Sequence, residues 1–484
     1  MRAMLPQHPR KADPYTWPVT ETVAIGDPFL QAIGARLPGL RLLTDPVDRE
    51  SYRFDETAYL TPGLPGAVAL PTETAQVSEL LRLASEFRVP VVPRGAGSGL
   101  SGGATGIEGA LTIAFTAMDR ILEIDTANLV AVVQPGVINA HLKAAVAAEG
   151  LFYAPDPASY EMCSIGGNLG TNAGGLCCVK YGQTRESVLS LEVVMADGTV
   201  IRTGGKNVKD VAGYSLTHLI VGSQGTLAVI TEATLRLRPA PPPRSTLLAF
   251  FPSLESAGDA VAGIAAAGLS PVTLELMDKN TIWAVDDMNH LGLDREAAAM
   301  LMIESDMPGV AAASELERAD AACVAAGATS TIRSETEQEA DLLRQARRAA
   351  HWAFERMGDV HMEDIVVPRS RVPDMLRAIE AIGVKHGVRM GAFGHAGDGN
   401  LHPDLVFERG DPMAHELTER VRVDLYQTAI DLGGSVTGEH GIGVARRDWL
   451  VRQRGEDAVR VMRAIKAALD PLGILNPGRV LPDG

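Results

Sequence analysis

The chain has little cysteine, no surplus of positive charge and no long apolar run. Its four cysteines, Cys163, Cys177, Cys178 and Cys323, form no Cys-x-x-Cys pair. Neither a disulfide framework nor a thiolate metal site is expected, and the thiols suit a reducing cytoplasm. With 44 basic against 60 acidic side chains the net charge is −16. That balance opposes nucleic-acid binding and gives no general attraction to an anionic membrane. An anionic substrate would have to be held by local positive groups. No stretch of about 18 apolar residues occurs, so no membrane span is expected. The first residues, Met1 to Thr20, carry prolines and basic side chains but no apolar core, and read as a loose tail, not a secretory signal. The location expected is the cytoplasm, with peripheral attachment to a membrane left open. Internal repeats and low-complexity tracts are also lacking, which excludes a solenoid.

What the chain does have is length and glycine. Its 484 residues, 46% hydrophobic, suffice for about three domain-sized units. The glycines gather in Val92-Pro-Arg-Gly-Ala-Gly-Ser-Gly-Leu-Ser-Gly-Gly103 and in a second loop, Cys163-Ser-Ile-Gly-Gly-Asn-Leu-Gly-Thr-Asn-Ala-Gly-Gly175. The first follows a short apolar strand, Val89 to Val92. Glycine permits tight turns and brings bare N–H groups close to a ligand, and a run of such groups makes an anion-binding concavity. Arg94 adds a fixed charge suited to phosphate. A single such loop would read as a surface loop; the pair reads as a pyrophosphate cradle for a dinucleotide. It is not the nucleotide-binding βαβ fingerprint, because Ala104 to Ala110 does not open a helix.

The second chemical feature is Gly394-His395-Ala-Gly-Asp-Gly-Asn-Leu-His402. On a helix the two imidazoles would stand two turns apart, about 10 Å along the axis. On one straight strand they would face opposite sides. The Gly397-Asp398-Gly399-Asn400 break lets the backbone fold so that the rings converge. Downstream, Thr437-Gly-Glu-His-Gly-Ile-Gly443 sets a carboxylate beside an imidazole. Two histidines and one carboxylate form a catalytic type of metal set, open to zinc, manganese or iron. Neighbours on an extended strand point apart, so Glu439 and His440 can share a site only if Gly438 and Gly441 kink the chain, or if substrate lies between them. Asp398 reads equally as a turn residue or as a group orienting a ligand imidazole.

The secondary structure expected is a helix over Asp27–Leu37, an irregular stretch over Asp45–Tyr59, and a strand–helix–strand leading into the cradle. The Asp197-Gly198 pair marks a hairpin between Ser190–Met195 and Val200–Thr203. Four prolines between Pro239 and Pro243 mark the main boundary. A long helix is expected over Glu335–Met357, another over Arg371–His386, and strands near Met300–Ser305 and Asp364–Val367.

These motifs, with Ala154-Pro-Asp-Pro157, Ser164-Ile-Gly-Gly-Asn168 and Asn172-Ala-Gly-Gly175, resemble the vanillyl-alcohol-oxidase/para-cresol-methylhydroxylase superfamily. The likeness is to its branch of glycolate oxidase, D-lactate and D-2-hydroxyglutarate dehydrogenases, from about Leu40 to the last residues. It implies an α+β protein with a two-subdomain FAD-binding domain at 25–240 after a 1–24 tail. An α+β cap with an antiparallel sheet follows at 245–435, and a segment at 436–484 returns to the flavin. It implies FAD contacts by Arg94, Gly95, Ala96, Gly97, Ser98, Gly99, Leu100 and Ser101, then by Pro155, Cys163, Ser164, Gly166, Gly167, Asn168, Asn172, Gly174, Val229 and Asn476. No histidine lies in the Arg94–Ala104 cradle, where some members bond the flavin, so non-covalent FAD is expected.

The resemblance also gives His395, His402 and Glu439 as metal ligands, His440 as catalytic base, and Arg347, rather than Arg348, as the substrate-carboxylate group. It implies oxidation of a D-2-hydroxy acid by hydride transfer to flavin, with a small anionic substrate. The electron acceptor would be a quinone, an electron-transfer flavoprotein or an iron–sulfur subunit, and a homodimer is left open. The 2-hydroxyglutarate members carry a lysine in register with Met362 and a hydroxyl residue in register with His351. Both departures weaken that substrate and leave lactate, glycolate or a bulkier acid. The competing readings are an electron-relay subunit and a non-redox flavin synthase resembling the alkyl-dihydroxyacetone-phosphate synthases.

Overall fold

The computed structural model describes residues 23–57, 59–334 and 336–482. The expected N-terminal tail therefore falls almost wholly outside the described residues. Three main sheets organise the described chain. The first orders Arg41–Leu43, Ala67–Leu70, Leu111–Ala114 and Val91–Arg94, its last three strands parallel and Arg41–Leu43 antiparallel at the edge. Val91, Ala67, Leu111 and Ile113 are fully buried against the helix Thr74–Phe87. That burial explains their apolar runs, because a parallel sheet is covered on both faces. The second sheet is antiparallel, in the order Ile121–Asp125, Val130–Val133, Val229–Arg236, Val188–Val194, Val200–Arg202. The expected hairpin closes through Asp197-Gly198, with Gly198 at φ +82°.

The third sheet is antiparallel and eight-stranded, built from Ser245 to Phe407. Its strands alternate between two cores. Leu247, Ala249 and Phe251 face the helices Leu254–Ala266 and Val372–His386, while Leu248 and Phe250 face Lys279–Asn289 and Ala350–Glu355. A strand covered on both sides reads as a continuous hydrophobic run, here Leu-Leu-Ala-Phe-Phe. Pro239 closes a two-residue strand with Leu151 just before this sheet begins.

Several expectations change. A short helix, Pro46–Glu50, lies in the stretch read as irregular; Asp45 caps it by accepting from Val47 N, and Pro46 starts it. The single helix expected over Glu335–Met357 is two, Glu337–Arg348 and Ala350–Glu355, broken at Ala349. The stretch Asp364–Val367 contributes only Ile365–Val366 as strand. The strands Thr273–Asp278, Asp359–Met362 and Asn400–Phe407 were not foreseen. Among the described residues no helix is long and apolar enough to cross a membrane. All four cysteines are free thiols.

Candidate active site

The strand Val91–Arg94 delivers the first glycine segment to a cavity of about 400 Å³. Gly97 turns with φ +82°, and a Cβ there would lie 2.1 Å from the Arg94 guanidinium. This lets Arg94 fold beneath the loop, where Nη1 donates to Ala104 O at 2.9 Å. Among the described residues, the N–H groups of Gly97, Ser98, Gly99 and Leu100 find no protein acceptor. That open row of donors is what a pyrophosphate requires.

The second glycine segment is not a loop throughout. Ile165–Thr171 is a helix capped by Ser164, whose Oγ accepts from Gly167 N at 3.2 Å and from Ala96 N at 3.3 Å. The glycines also let the two segments approach each other closely, for a Cβ on Gly95 would stand 2.3 Å from Ser164 Oγ. Gln224 ties in a third segment: Nε2 donates to Ser101 Oγ at 3.0 Å and Oε1 accepts from Gly443 N at 2.7 Å. Asn476 Nδ2 donates to Gly103 O and Gln224 O, at 2.9 and 2.7 Å, while its Oδ1 is buried without a partner. Arg94 to Ser101, Gly166, Gly167, Asn168 and Gly174 line the cavity. Pro155, Cys163, Ser164, Asn172, Val229 and Asn476 are not among the residues that line it. The open donors, the glycine surface and the unpartnered Asn476 Oδ1 fit FAD.

The histidine pair sits on a hairpin. Arg389–His395 pairs with Asn400–Phe407, setting His395 opposite Asn400 and Phe393 opposite His402. Opposed residues share a face and alternate residues repeat it, so all four point to one side. The turn at 396–399 reverses the chain and removes the parity conflict of a straight strand. His395 Nε2 and His402 Nε2 each lie 3.2 Å from Glu439 Oε1. Two bonds of ~2.1 Å to one ion at tetrahedral-to-octahedral angles leave their donors about 3.0–3.4 Å apart, so this set fits zinc, manganese or iron. Glu275 Oε1, 2.7 Å from His395 Nδ1, turns Nε2 toward the cluster. Glu275, rather than Asp398, takes that place; Asp398 N closes the turn on His395 O at 2.9 Å.

Glu439 and His440 reach the same wall because the chain kinks around Asp364. One carboxylate oxygen, Asp364 Oδ2, accepts from Thr437 Oγ1 (2.5 Å), Gly438 N (2.8 Å), Glu439 N (3.1 Å) and His440 N (3.0 Å). Its Oδ1 accepts from Asn400 Nδ2 at 2.7 Å, fastening the kink to the hairpin. Gly441 completes the bend at φ +87°. Gly174 approaches so closely that a Cβ on it would lie 2.2 Å from Glu439 Oε2.

The electrostatics are those of a dry, charged cluster. Burial works against a charge on His395, but Glu275 and Glu439 outweigh it and raise its pKa well above the usual value. Burial likewise opposes ionisation of Glu439, yet His395 and His402 hold its pKa well below the carboxylate range. Burial pushes His440 down to about 4 despite the nearby Asp364.

The two candidate arginines separate. Arg348 lines the cavity and binds Asp156 Oδ2 at 2.8 Å. Arg347 lies one layer back over the Phe393 ring, 2.6 Å from Glu275 Oε2, with Nε and Nη2 lacking an aligned hydrogen-bond acceptor. Glu275 and Asp364 were missed in the sequence, while Gln224 lies in Gly222–Val229, a stretch that resembles a third flavin segment. Glu275 and Asp364 act across more than 70 residues of chain, and neither has a local signature.

Residues 65–204 match the family model described as FAD binding domain, and residues 240–480 match FAD linked oxidases, C-terminal domain. Fold and cradle together define an FAD-binding oxidoreductase. The chain is 44% identical over 430 residues to the glycolate oxidase subunit GlcD of Bacillus subtilis (strain 168), covering 89% of this chain and 91% of that protein. It is 36% identical to a D-lactate dehydrogenase of Archaeoglobus fulgidus, over 89% of this chain and 96% of that one. In fold it is similar to p-cresol methylhydroxylase, with TM-score 0.78 and 16% identity over 94% of this chain and 96% of that one. The chain belongs to the FAD-linked oxidase family, in the branch that holds the glycolate oxidase subunit GlcD and the D-lactate dehydrogenases.

Proposed function

We propose that this chain is an FAD-dependent dehydrogenase that oxidises a D-2-hydroxy acid to the 2-keto acid. The observation that carries the reading is a shared wall: Glu439 and His440 line the same cavity as the glycine segments. Relatives named for glycolate and D-lactate support the substrate class. FAD, when bound, supplies the two-electron acceptor. A zinc, manganese or iron ion held by His395, His402 and Glu439 would supply Lewis acidity.

The protein's own groups do the rest. His440, with its pKa near 4, is neutral at physiological pH and can accept the substrate hydroxyl proton at Nε2, the nitrogen 4.0 Å from Glu439 Oε1. Asp364 orients it by gripping the Glu439 and His440 backbone N–H groups. Arg347, one layer behind the cavity, pairs with the Glu275 that also holds His395, so its guanidinium acts on the acid's site through that carboxylate. The apolar cavity walls limit water around the reacting carbon. A quinone, an electron-transfer flavoprotein or an iron–sulfur subunit takes the electrons onward, and the relative's description as a subunit supports a partner of that kind.

Anaerobic mixing with D-lactate, glycolate or D-2-hydroxyglutarate tests the reading: the visible flavin band bleaches with at least one. No bleaching across a broad panel of D-2-hydroxy acids overturns it. Chelated, dialysed enzyme should lose turnover; full turnover would remove the metal from the scheme.

A further inference from the structure

Behind the flavin wall stands a cation without an acid of its own. Helix Asn139–Ala148 carries Lys143, whose Nζ donates to Tyr153 O at 2.5 Å and lies 3.5 Å from Ala154 O. Two rings complete its surroundings, with Nζ 5.3 Å from the centroid of Phe152 and 5.6 Å from that of Tyr153. Carbonyls and rings attract an ammonium but do not cancel its charge. The charges nearby pair off without it: Arg348 with Asp156 at 2.8 Å, Arg244 with Glu304 at 3.1 Å, and Arg344 with Asp341. Cys177 adds no anion, since burial pushes its thiol up to about 12. Burial lowers the pKa of Lys143 too, while Asp156 works to keep the proton on.

The carbonyls that Lys143 binds belong to a segment, Tyr153–Pro157, that backs the cavity. Pro157 lines the cavity, and so does Asn168. One helical turn before Lys143, Asn139 Nδ2 donates to Asn168 Oδ1 at 3.0 Å and to Pro155 O at 3.3 Å, fixing the segment to that wall. Ala154 and Asp156 are buried, yet among the described residues their N–H groups find no acceptor. Buried N–H groups are rarely left so. A flavin ring, with its carbonyl oxygens and ring nitrogens, carries acceptors of the kind they lack. Tyr153 O and Ala154 N–H belong to one trans peptide, so the bound ammonium and the open N–H lie at opposite ends of one dipole. A cation on the carbonyl strengthens the N–H as a donor.

We infer that Lys143 sets the reduction potential of the flavin, by stationing a positive charge behind the wall that receives the ring and acting on it through the Tyr153–Ala154 peptide. Uptake of two electrons and one proton turns the neutral ring into an anion, and a fixed cation favours that anion. Lys143 touches no reacting atom and is a positioning residue. Asp156 is the opposite charge at the same wall, so removing either one should move the potential in opposite directions. The inference rests on the flavin seat and needs no assumption about which acid is oxidised.

Anaerobic titration of the FAD-loaded protein with dithionite against a reference dye, without substrate, reads the potential. Lys143→Met should weaken reduction ~10-fold, a shift of about 30 mV to more negative potential, with FAD content unchanged. Lys143→Arg keeps the charge and should lie closer to the wild type than the methionine variant does. Asp156→Asn should move the potential to more positive values. A wild-type potential in FAD-loaded Lys143→Met overturns the inference, and so does an arginine variant that shifts as far as the methionine one. If the methionine variant fails to hold FAD, Asp156→Asn decides: an unchanged or more negative potential overturns the inference. Potentials that shift as expected in a flavin that no D-2-hydroxy acid bleaches would support Lys143 in this role and remove only the dehydrogenase reading.

Discussion

Between Arg94 and Ser101 the chain binds with its backbone, whereas between His395 and His440 it binds with side chains held in place by other side chains. The first wall depends on atoms that are missing. A Cβ on Gly95 or Gly97 would fall 2.3 or 2.1 Å from its neighbours. The second depends on atoms that are present and aimed: Glu275 behind His395, and Asp364 behind Glu439 and His440. One wall should therefore fail by addition and the other by truncation, and the two failures should be separable.

The largest separation is expected from His440→Ala. Loss of the base should slow flavin reduction by ~10²–10⁴-fold while FAD content, read from the visible spectrum, stays at the wild-type level. Loss of flavin from that variant would mean that the two walls are not independent. Asp364→Asn should come next, at about 10- to 100-fold in metal affinity or turnover. An amide offers one acceptor oxygen, not two, and turns its own donors toward N–H groups that already need an acceptor. Metal content and single-turnover rate would fall together with FAD retained; wild-type values for both would remove Asp364 from the positioning role.

Gly174→Ala should breach the boundary between the walls. It lies on the flavin side, yet its Cβ would strike Glu439. Flavin and metal occupancy should both drop, and a variant that loses only one would show that Gly174 serves that wall alone.

The pH profile sharpens the comparison further. Burial holds His440 at about 4, below its ordinary 6.5. Flavin reduction should stay level from neutral pH to about pH 5 and fall by half near pH 4. Half-loss near 6.5 would mean a solvated imidazole. The same shift has a sign for stability. Below 6.5 the unfolded chain takes up a proton that the folded chain refuses, so stability at this group declines as pH falls from 6.5 toward 4. The smallest effect is expected from Gln224→Ala. Loss of its bonds to Ser101 and Gly443 should cost about 1 kcal/mol, roughly fivefold in FAD affinity by titration.

The two walls were unequally legible in the sequence. The cradle was readable because its chemistry is its composition: glycine after a buried strand implies exposed N–H groups. Even so, Ser164 was not read as a helix cap, though the serine three residues before Gly167 is the ordinary pattern. The histidine spacing was readable as a puzzle, since seven positions fit neither a helix nor one strand. Its answer, a hairpin with Phe393 opposite His402, needed the register. Asp364 lay inside a recognised strand-like stretch, and nothing local marked it as the acceptor of four donors from 437–440. Glu275 sat in an unrecognised strand, Thr273–Asp278, that meets His395 only through sheet topology. Side chains that support other side chains across long stretches of chain are what a single sequence conceals.

Leu475 bridges Val91, and Asn476 reaches both Gly103 and Gln224. During synthesis, the first glycine segment leaves the ribosome some 370 residues ahead of these partners. The cofactor pocket is therefore left unfinished until translation has passed residue 476.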